Sequence, residues 1–157
     1  MFKEMRRKDR ELSNIEALAL LEEGNYMVLS TLSRDGYCYG VPLHYVFIND
    51  SIYFHCAIEG HKLENIAYND KVSICVVGKA EVVPEKFTTN YESVIAFGRA
   101  KEVKGDEKEI ALIALIGKYS PEHISEGREY IKRASDKTKV IGITVERITG
   151  KARKEKA

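Results

Sequence analysis

The sequence predicts a mainly β fold, a small antiparallel barrel of about six strands with three or four peripheral helices. Runs of apolar, β-branched and aromatic residues are separated by tight turns. Two of the longer runs contain a glycine at mid-strand, which is typical of a bent, curled sheet. The 157 residues include no linker rich in proline, glycine or serine. We therefore expect one domain over residues 1–157, with residues 1–10 and 151–157 as peripheral tails.

The first predicted elements are a helix and a three-stranded meander. In "SNIEALALLEEGN", Ser13 and Glu16 form a capping box, and Gly24 suits a left-handed C-terminal position. The runs "YMVLSTL", "YCYGVPLHYVF" and "SIYFHCAI" predict strands joined by turns at Asp35-Gly36 and Asn49-Asp50. Pro42 cannot donate a ladder hydrogen bond, so we expect a bulge or an unpaired edge there.

The second half predicts a short helix, two long strands, two helices and a last strand. The helix is "GHKLENIAYN", and the long strands contain Gly78 and Gly98. The helix in "DEKEIALIALIGKYS" is apolar nearly all round, so we expect both of its faces to be covered. A more polar helix in "PEHISEGREYIKRAS" and the alternating strand "KVIGITVERI" complete the prediction.

The composition excludes several classes of function. Lys+Arg 25 against Asp+Glu 24 gives a formal charge of +1, so we expect no nucleic-acid partner. No apolar run approaches the ~20 residues of a membrane span, and no apolar signal segment follows the basic start "MFKEMRRKDREL". We therefore expect a cytoplasmic protein without a membrane partner. Cys38, Cys56 and Cys75 lack C-x-x-C spacing, which argues against disulfides and a structural zinc site.

The stretch "HCAIEGHKLENI" concentrates the candidate functional residues. His55 and Cys56 point to opposite faces of a strand, which disfavours a shared metal ion. Cys56 lies several residues before the helix, which disfavours a nucleophile activated by a helix N-terminus. We therefore expect no metal.

An anion site fits the same stretch better. Gly60 leads into a helix whose first amides are free to bind a phosphate, with His61 and Lys62 in the first turn. The alternative is a solvated turn that carries surface charges.

Four segments in this order resemble the pyridoxamine 5′-phosphate oxidase-like flavoproteins: "STLSRDGYCYGVPLHYVF", "IYFHCAIEGHKLENI", "YESVIAFGRAKEV" and "ITGKARK". The similarity is greatest to their nitroimidazole-resistance (Nim-type) branch. The resemblance implies a six-stranded split β-barrel that forms a homodimer with FMN at the interface. The family enzyme has an arginine-lysine pair at the phosphate where this chain has His61-Lys62. The arginine-containing C-terminal substrate motif of that enzyme is not found, so we expect a different substrate.

The resemblance also implies roles for individual residues. His61 and Lys62, after Gly60, match the phosphate contacts, and His55 matches an active-site histidine of the Nim-type branch. The remaining implied flavin contacts are Cys56, the "GVPL" strand with Val41, Pro42 and Leu43, then Ser30 and Thr31, and from the partner subunit Ser93 and Ile95.

These matches imply an FMN-dependent oxidoreductase. It would pass electrons from a donor such as NADH or NADPH to a small organic acceptor, such as a nitro compound, with His55 as a proton donor. The alternatives are a flavin- or haem-binding protein without turnover, and an interaction protein that has lost the pocket. We interpret His44, which alternates with apolar residues, as a structural histidine.

Overall fold

The computed structural model describes residues 2–153, which form an antiparallel sheet and four helices. The helices are α1 (Asn14–Glu23), α2 (His61–Tyr68), α3 (Gly105–Tyr119) and α4 (Ile124–Ala134). The strands are β1 (Met27–Leu32), β2 (Cys38–Leu43), β3 (Val46–Ile48), β4 (Ser51–Cys56), β5 (Lys71–Val83), β6 (Thr88–Val103) and β7 (Lys139–Arg153). Their order in the sheet is β2-β1-β5-β6-β7-β4-β3. The mainly β class with helices is confirmed.

The predicted count of six strands is wrong. The described sheet has seven strands and is open, with β2 at one edge and β3 at the other. The run "YCYGVPLHYVF" was predicted as one strand, but it divides at His44 and Tyr45, because the Tyr45 side chain turns into the core and is fully buried. Only these two residues join the two edge strands, so the edges cannot lie more than about 11 Å apart at this point. The sheet therefore curls into a split barrel.

Local predictions are largely confirmed. Ser13 and Glu16 form the capping box, and the Asn49-Asp50 turn has both residues at positive φ (50° and 57°). Pro42 lies on the edge strand β2, as expected for a residue without an amide hydrogen. Gly24 ends α1, but its φ of −56° contradicts the predicted left-handed conformation.

The mid-strand glycines mark irregular pairing, as predicted. The β5–β6 register shifts between Val77 and Ala80, around Gly78, and the β6–β7 register shifts at Phe97 and Gly98. A Cβ on Gly98 would lie 2.3 Å from the carbonyl oxygen of Thr144, so only glycine allows this close approach.

Two apolar clusters hold the molecule together. The larger fills the curled sheet beneath α1 and α2, and its fully buried members include Leu21, Tyr45 and Phe54. The smaller packs α3 against β4 through Leu115 and Tyr53. The predicted cover over both faces of α3 is incomplete, because Ile110 is 53% exposed.

The C-terminal segment joins the sheet. β7 continues to Arg153, so residues 151–153 are paired, while residues 154–157 of the predicted tail lie outside the described residues. At the other end, the Leu12 amide donates to the Gly150 carbonyl (2.9 Å), and Glu11 bridges to Lys151. Within residues 2–153, no helix is long and apolar enough to cross a bilayer.

Candidate functional site

The N-terminus of α2 opens toward solvent beside β1. Gly60 precedes the helix at φ 140°, a conformation that favours glycine, and no side chain caps the helix. A Cβ built on Gly60 would meet nothing within 4 Å, so the space in front of this residue is open. The amides of Leu63 and Glu64 bond back to the Gly60 carbonyl, which leaves the first amides of the helix for an outside acceptor.

His61 is held by β1 and β2. Its Nε2 lies 3.0 Å from Oγ of the buried Ser33, and its ring centroid is 4.4 Å from that of Tyr39. One turn later, the buried Asn65 amide donates to Thr31 Oγ1 (3.0 Å). These contacts fix the direction of α2 and bring together His61 and Thr31, which were both predicted as site residues. The region around the N-terminus of α2 that contains Gly60, His61 and Thr31 is called the α2 corner below. Ser33, Tyr39 and Asn65 were not predicted, because only the packing of α2 against β1 selects them.

Lys62 and Cys56 also belong to this corner. Burial raises the pKa of the Cys56 thiol, while the positive charges of Lys62 and Lys139 act in the opposite direction. Cys56 is therefore a neutral thiol near the ammonium group of Lys62 and is poorly suited to act as a nucleophile. Its side chain packs against the main core, on the side of β4 opposite to His55, as the strand alternation predicted.

The residues of the "GVPL" segment in β2 point alternately to the two faces of the sheet. Val41 and Leu43 pack against the main core, whereas Pro42 faces outward. Across the outer face, a transverse row contains one residue from each of four adjacent strands: Pro42, Val28, Cys75 and Ile95.

Ser93 lies two residues from Ile95 on β6, and Ser30 lies on β1, opposite Gly40. β6 lies two strand spacings, or about 10 Å, from β1, against which α2 packs. The role of Ser93 and Ile95 as flavin contacts from the partner subunit stays a prediction.

His55 lines a different cavity, of about 230 Å³, between β4 and the helices α3 and α4. The cavity wall is mostly apolar and includes Leu115 and Ile116. His44 lines the same cavity and stacks on Tyr119, with ring centroids 4.4 Å apart and planes 9° apart. The structure therefore places His44 beside His55, and this pairing was missed by the sequence interpretation of His44 as structural.

The surroundings of His55 favour its neutral form. Burial lowers the pKa of His55, and the charge of His44 lowers it further. A neutral imidazole can donate or accept a hydrogen bond, and it becomes protonated when a ligand brings negative charge.

The comparisons with known proteins identify the family. The sequence profile described as pyridoxamine 5′-phosphate oxidase matches residues 13–152. The chain belongs to this family. The resemblance found in the sequence is thereby confirmed for this member of the pyridoxamine 5′-phosphate oxidase family.

Solved structures support the fold of this family member. A candidate 5-nitroimidazole antibiotic resistance protein from Bacteroides thetaiotaomicron is 23% identical, with TM-score 0.78, over 90% of this chain and 86% of the other. A FAD and haem binding protein from Mycobacterium smegmatis is 18% identical, with TM-score 0.81, and the match covers 93% of this chain and 74% of the other. A FAD-binding protein from Mesorhizobium loti is 22% identical, with TM-score 0.65, and the match covers 92% of this chain and 98% of the other. No curated protein matches the chain significantly.

Proposed function

We propose that this family member binds FMN and passes electrons from a reduced donor, NADH or NADPH, to a small organic acceptor such as a nitro compound. The observation that carries the proposal is the open N-terminus of α2, with Gly60 at φ 140° and Lys62 in the first turn. A helix N-terminus binds a phosphate through its free amides and its dipole, and Lys62 adds a charge. The residues present therefore fit a mononucleotide phosphate.

The protein residues have separate tasks in this proposal. The α2 amides and Lys62 bind the phosphate, and the outward backbone near Pro42 lies along the flavin edge. Bound FMN would supply the two-electron redox chemistry. His55 donates a hydrogen bond to the acceptor in the cavity of about 230 Å³, and negative charge that develops on the reduced acceptor would favour uptake of a solvent proton by the imidazole, which then passes it to the acceptor. This volume lies below the roughly 300–1,000 Å³ of pockets for drug-sized ligands, which favours a compact acceptor with one ring.

A homodimer with FMN at its interface is part of the proposal. The outer row of Val28, Pro42, Cys75 and Ile95 leaves a mostly apolar surface, and exposed Val77 continues it. A partner subunit that covers this surface would bring its own Ser93 and Ile95 to the flavin. The three cysteines are free, which suits the reducing cytoplasm.

Titration with FMN tests the cofactor. We expect flavin absorbance to shift in a saturable way on binding to the wild-type protein. Lys62→Ala should weaken binding by about 1.5–3 kcal/mol, or roughly 10- to 150-fold, because a charge-assisted contact to the phosphate is lost. Lys101→Ala is the control, since Lys101 is exposed on β6. Equal affinities for the wild type and the Lys62 variant would show that Lys62 does not contact the phosphate.

Turnover distinguishes the oxidoreductase from a flavin carrier. The alternative is relevant because the Mycobacterium smegmatis neighbour is described as binding FAD and haem. Anaerobic bleaching of bound flavin by NADH or NADPH, followed by reoxidation with a nitroaromatic or a quinone, supports the enzyme. Bound flavin that neither donor reduces supports the carrier. A Soret band after addition of haem would indicate a haem-binding protein.

A further inference from the structure

His44 and His55 face each other across the hairpin of β3 and β4. In the ladder of this hairpin, Val46 lies opposite Tyr53, and both side chains belong to the smaller apolar cluster, which includes α3. His44 lies two residues before Val46, and His55 lies two residues after Tyr53. The same register therefore places the two histidines opposite each other, on the face of the hairpin that α3 covers. Opposite side chains of an antiparallel pair have Cβ atoms about 5 Å apart, so both imidazoles can contact one small group.

The His44 ring is oriented by α3, but its nitrogens are available to a ligand. The ring stacks on Tyr119, with centroids 4.4 Å apart and planes 9° apart, and the Tyr119 hydroxyl is bound to the backbone of Tyr45. Stacking uses a face of the imidazole and leaves the nitrogens at its edge free. Among the described residues, the only hydrogen bond to an imidazole joins Ser33 and His61, so the two histidines of the cavity have no such partner. Both also retain solvent-exposed surface, so a ligand can reach them.

The rest of the cavity wall has no strongly charged side chain. Among the described residues that line the cavity, none is an aspartate, a glutamate, a lysine or an arginine. The other polar side chains of the wall carry hydroxyl groups, and its apolar side chains include Leu115 and Ile131. A ligand ammonium group would therefore meet no carboxylate, whereas a group with hydrogen-bond acceptors would meet two imidazoles. The volume of about 230 Å³ suits a compound with one ring.

We propose that His44 is a second ligand-binding residue of this cavity, and that both imidazoles donate to the two oxygens of a nitro or carboxylate group on a single ring. Each neutral imidazole has one N–H donor, so the pair can donate one hydrogen bond to each oxygen. The inference rests on the proposed function in taking this cavity as the acceptor site. It adds His44 as a residue that determines specificity, and it defines the preferred compounds as rings that carry a planar group with two oxygens.

Ligand binding in the absence of a reduced donor tests this inference. Nitrobenzene, benzoate and benzylamine are titrated separately into the full-length protein, with and without FMN, and the imidazole resonances of His44 and His55 are followed by NMR. We expect saturable shifts with nitrobenzene, benzoate or both, and none with benzylamine. Benzoate should bind more weakly as the pH rises from about 6 to 8, because a carboxylate favours the protonated imidazoles, whereas nitrobenzene should not show this dependence. The pH series therefore separates the carboxylate from the nitro ligand.

Variants at His44 separate hydrogen bonding from packing. His44→Phe keeps a ring that can stack on Tyr119 but removes both nitrogens. It should weaken binding of the compounds with two oxygens about 2- to 12-fold, which is the effect of one lost hydrogen bond. His44→Gln restores a donor and should recover part of the affinity. His123→Phe is the matched control and should bind as the wild type does, because His123 lies outside the cavity wall.

Several results would overturn the inference. They are the absence of saturable shifts with every probe, benzylamine binding as tight as that of benzoate and nitrobenzene, and wild-type affinity in His44→Phe. An equal loss in His44→Gln and His44→Phe would indicate altered packing and would also overturn it. FMN binding without probe binding would refute the assignment of the cavity alone. Probe binding that depends on His44, in a protein that does not bind FMN, would refute the proposed flavin function alone.

Discussion

The hydroxyl group of Tyr119 joins α3 to the two-residue connection between β2 and β3. The Tyr45 amide donates to this hydroxyl (3.0 Å), and the hydroxyl lies 2.8 Å from the Tyr45 carbonyl and 2.7 Å from the Asn25 carbonyl. With one proton, it donates to one carbonyl at a time. Tyr119→Phe removes these bonds but keeps the ring that stacks on His44.

The expected cost follows from these contacts. Losing the donated bond costs about 0.5–1.5 kcal/mol, and leaving the Tyr45 amide without a partner costs about 1–3 kcal/mol. Tyr45 is fully buried, so water cannot readily replace the lost acceptor. We expect the free energy of unfolding to fall by about 2–3 kcal/mol. At a typical urea slope of about 2 kcal/mol/M, the midpoint falls by roughly 1–1.5 M.

Urea unfolding at a fixed protein concentration measures this change, since a dimer would make the midpoint concentration-dependent. Tyr130→Phe is the matched control, because Tyr130 is 65% exposed, and its midpoint should match the wild type. A loss below about 0.5 kcal/mol in Tyr119→Phe, with an unchanged slope, would refute the reasoning. It would mean that solvent or a small shift of α3 satisfies the Tyr45 amide.

Two further predictions concern the sheet and the cavity. Gly98→Ala should lower the free energy of unfolding by more than about 2 kcal/mol, since the added Cβ would lie 2.3 Å from a backbone carbonyl; an unchanged thermal midpoint would contradict this. The pKa of His55 should lie below its ordinary value of 6.5, because burial lowers it and the charge of His44 lowers it further. His44→Gln should therefore raise the pKa of His55, as measured by NMR titration. The unfolded chain then binds a proton more readily than the folded chain, so stability should fall as the pH decreases through 6.5; a wild-type pKa of 6.5 or above would contradict this.

The features that the sequence could predict are local. The capping box of Ser13 and Glu16 and the turn at Asn49-Asp50 each depend on a few adjacent residues, so their patterns were sufficient. The start of α2 directly after Gly60 was predictable for the same reason. The opposite orientations of His55 and Cys56 follow from strand alternation, which needs no tertiary information.

The features that could not be predicted depend on distant residues. The division of "YCYGVPLHYVF" into two strands follows from Tyr45, whose partner Tyr119 lies 74 residues away. The cavity around His55 forms only when α3 and α4 cover β4, so no local pattern indicated that His44 lines it.

The two-residue link between β2 and β3 also restricts how the length of this chain can change. Inserting one residue there would reverse the inward and outward alternation at the junction, so that either Tyr45 leaves the interior or the edge strand slips. Length variants between Leu43 and Val46 should therefore be rare among functional relatives, whereas the hairpin beyond Val83 can be lengthened without moving either histidine of the cavity.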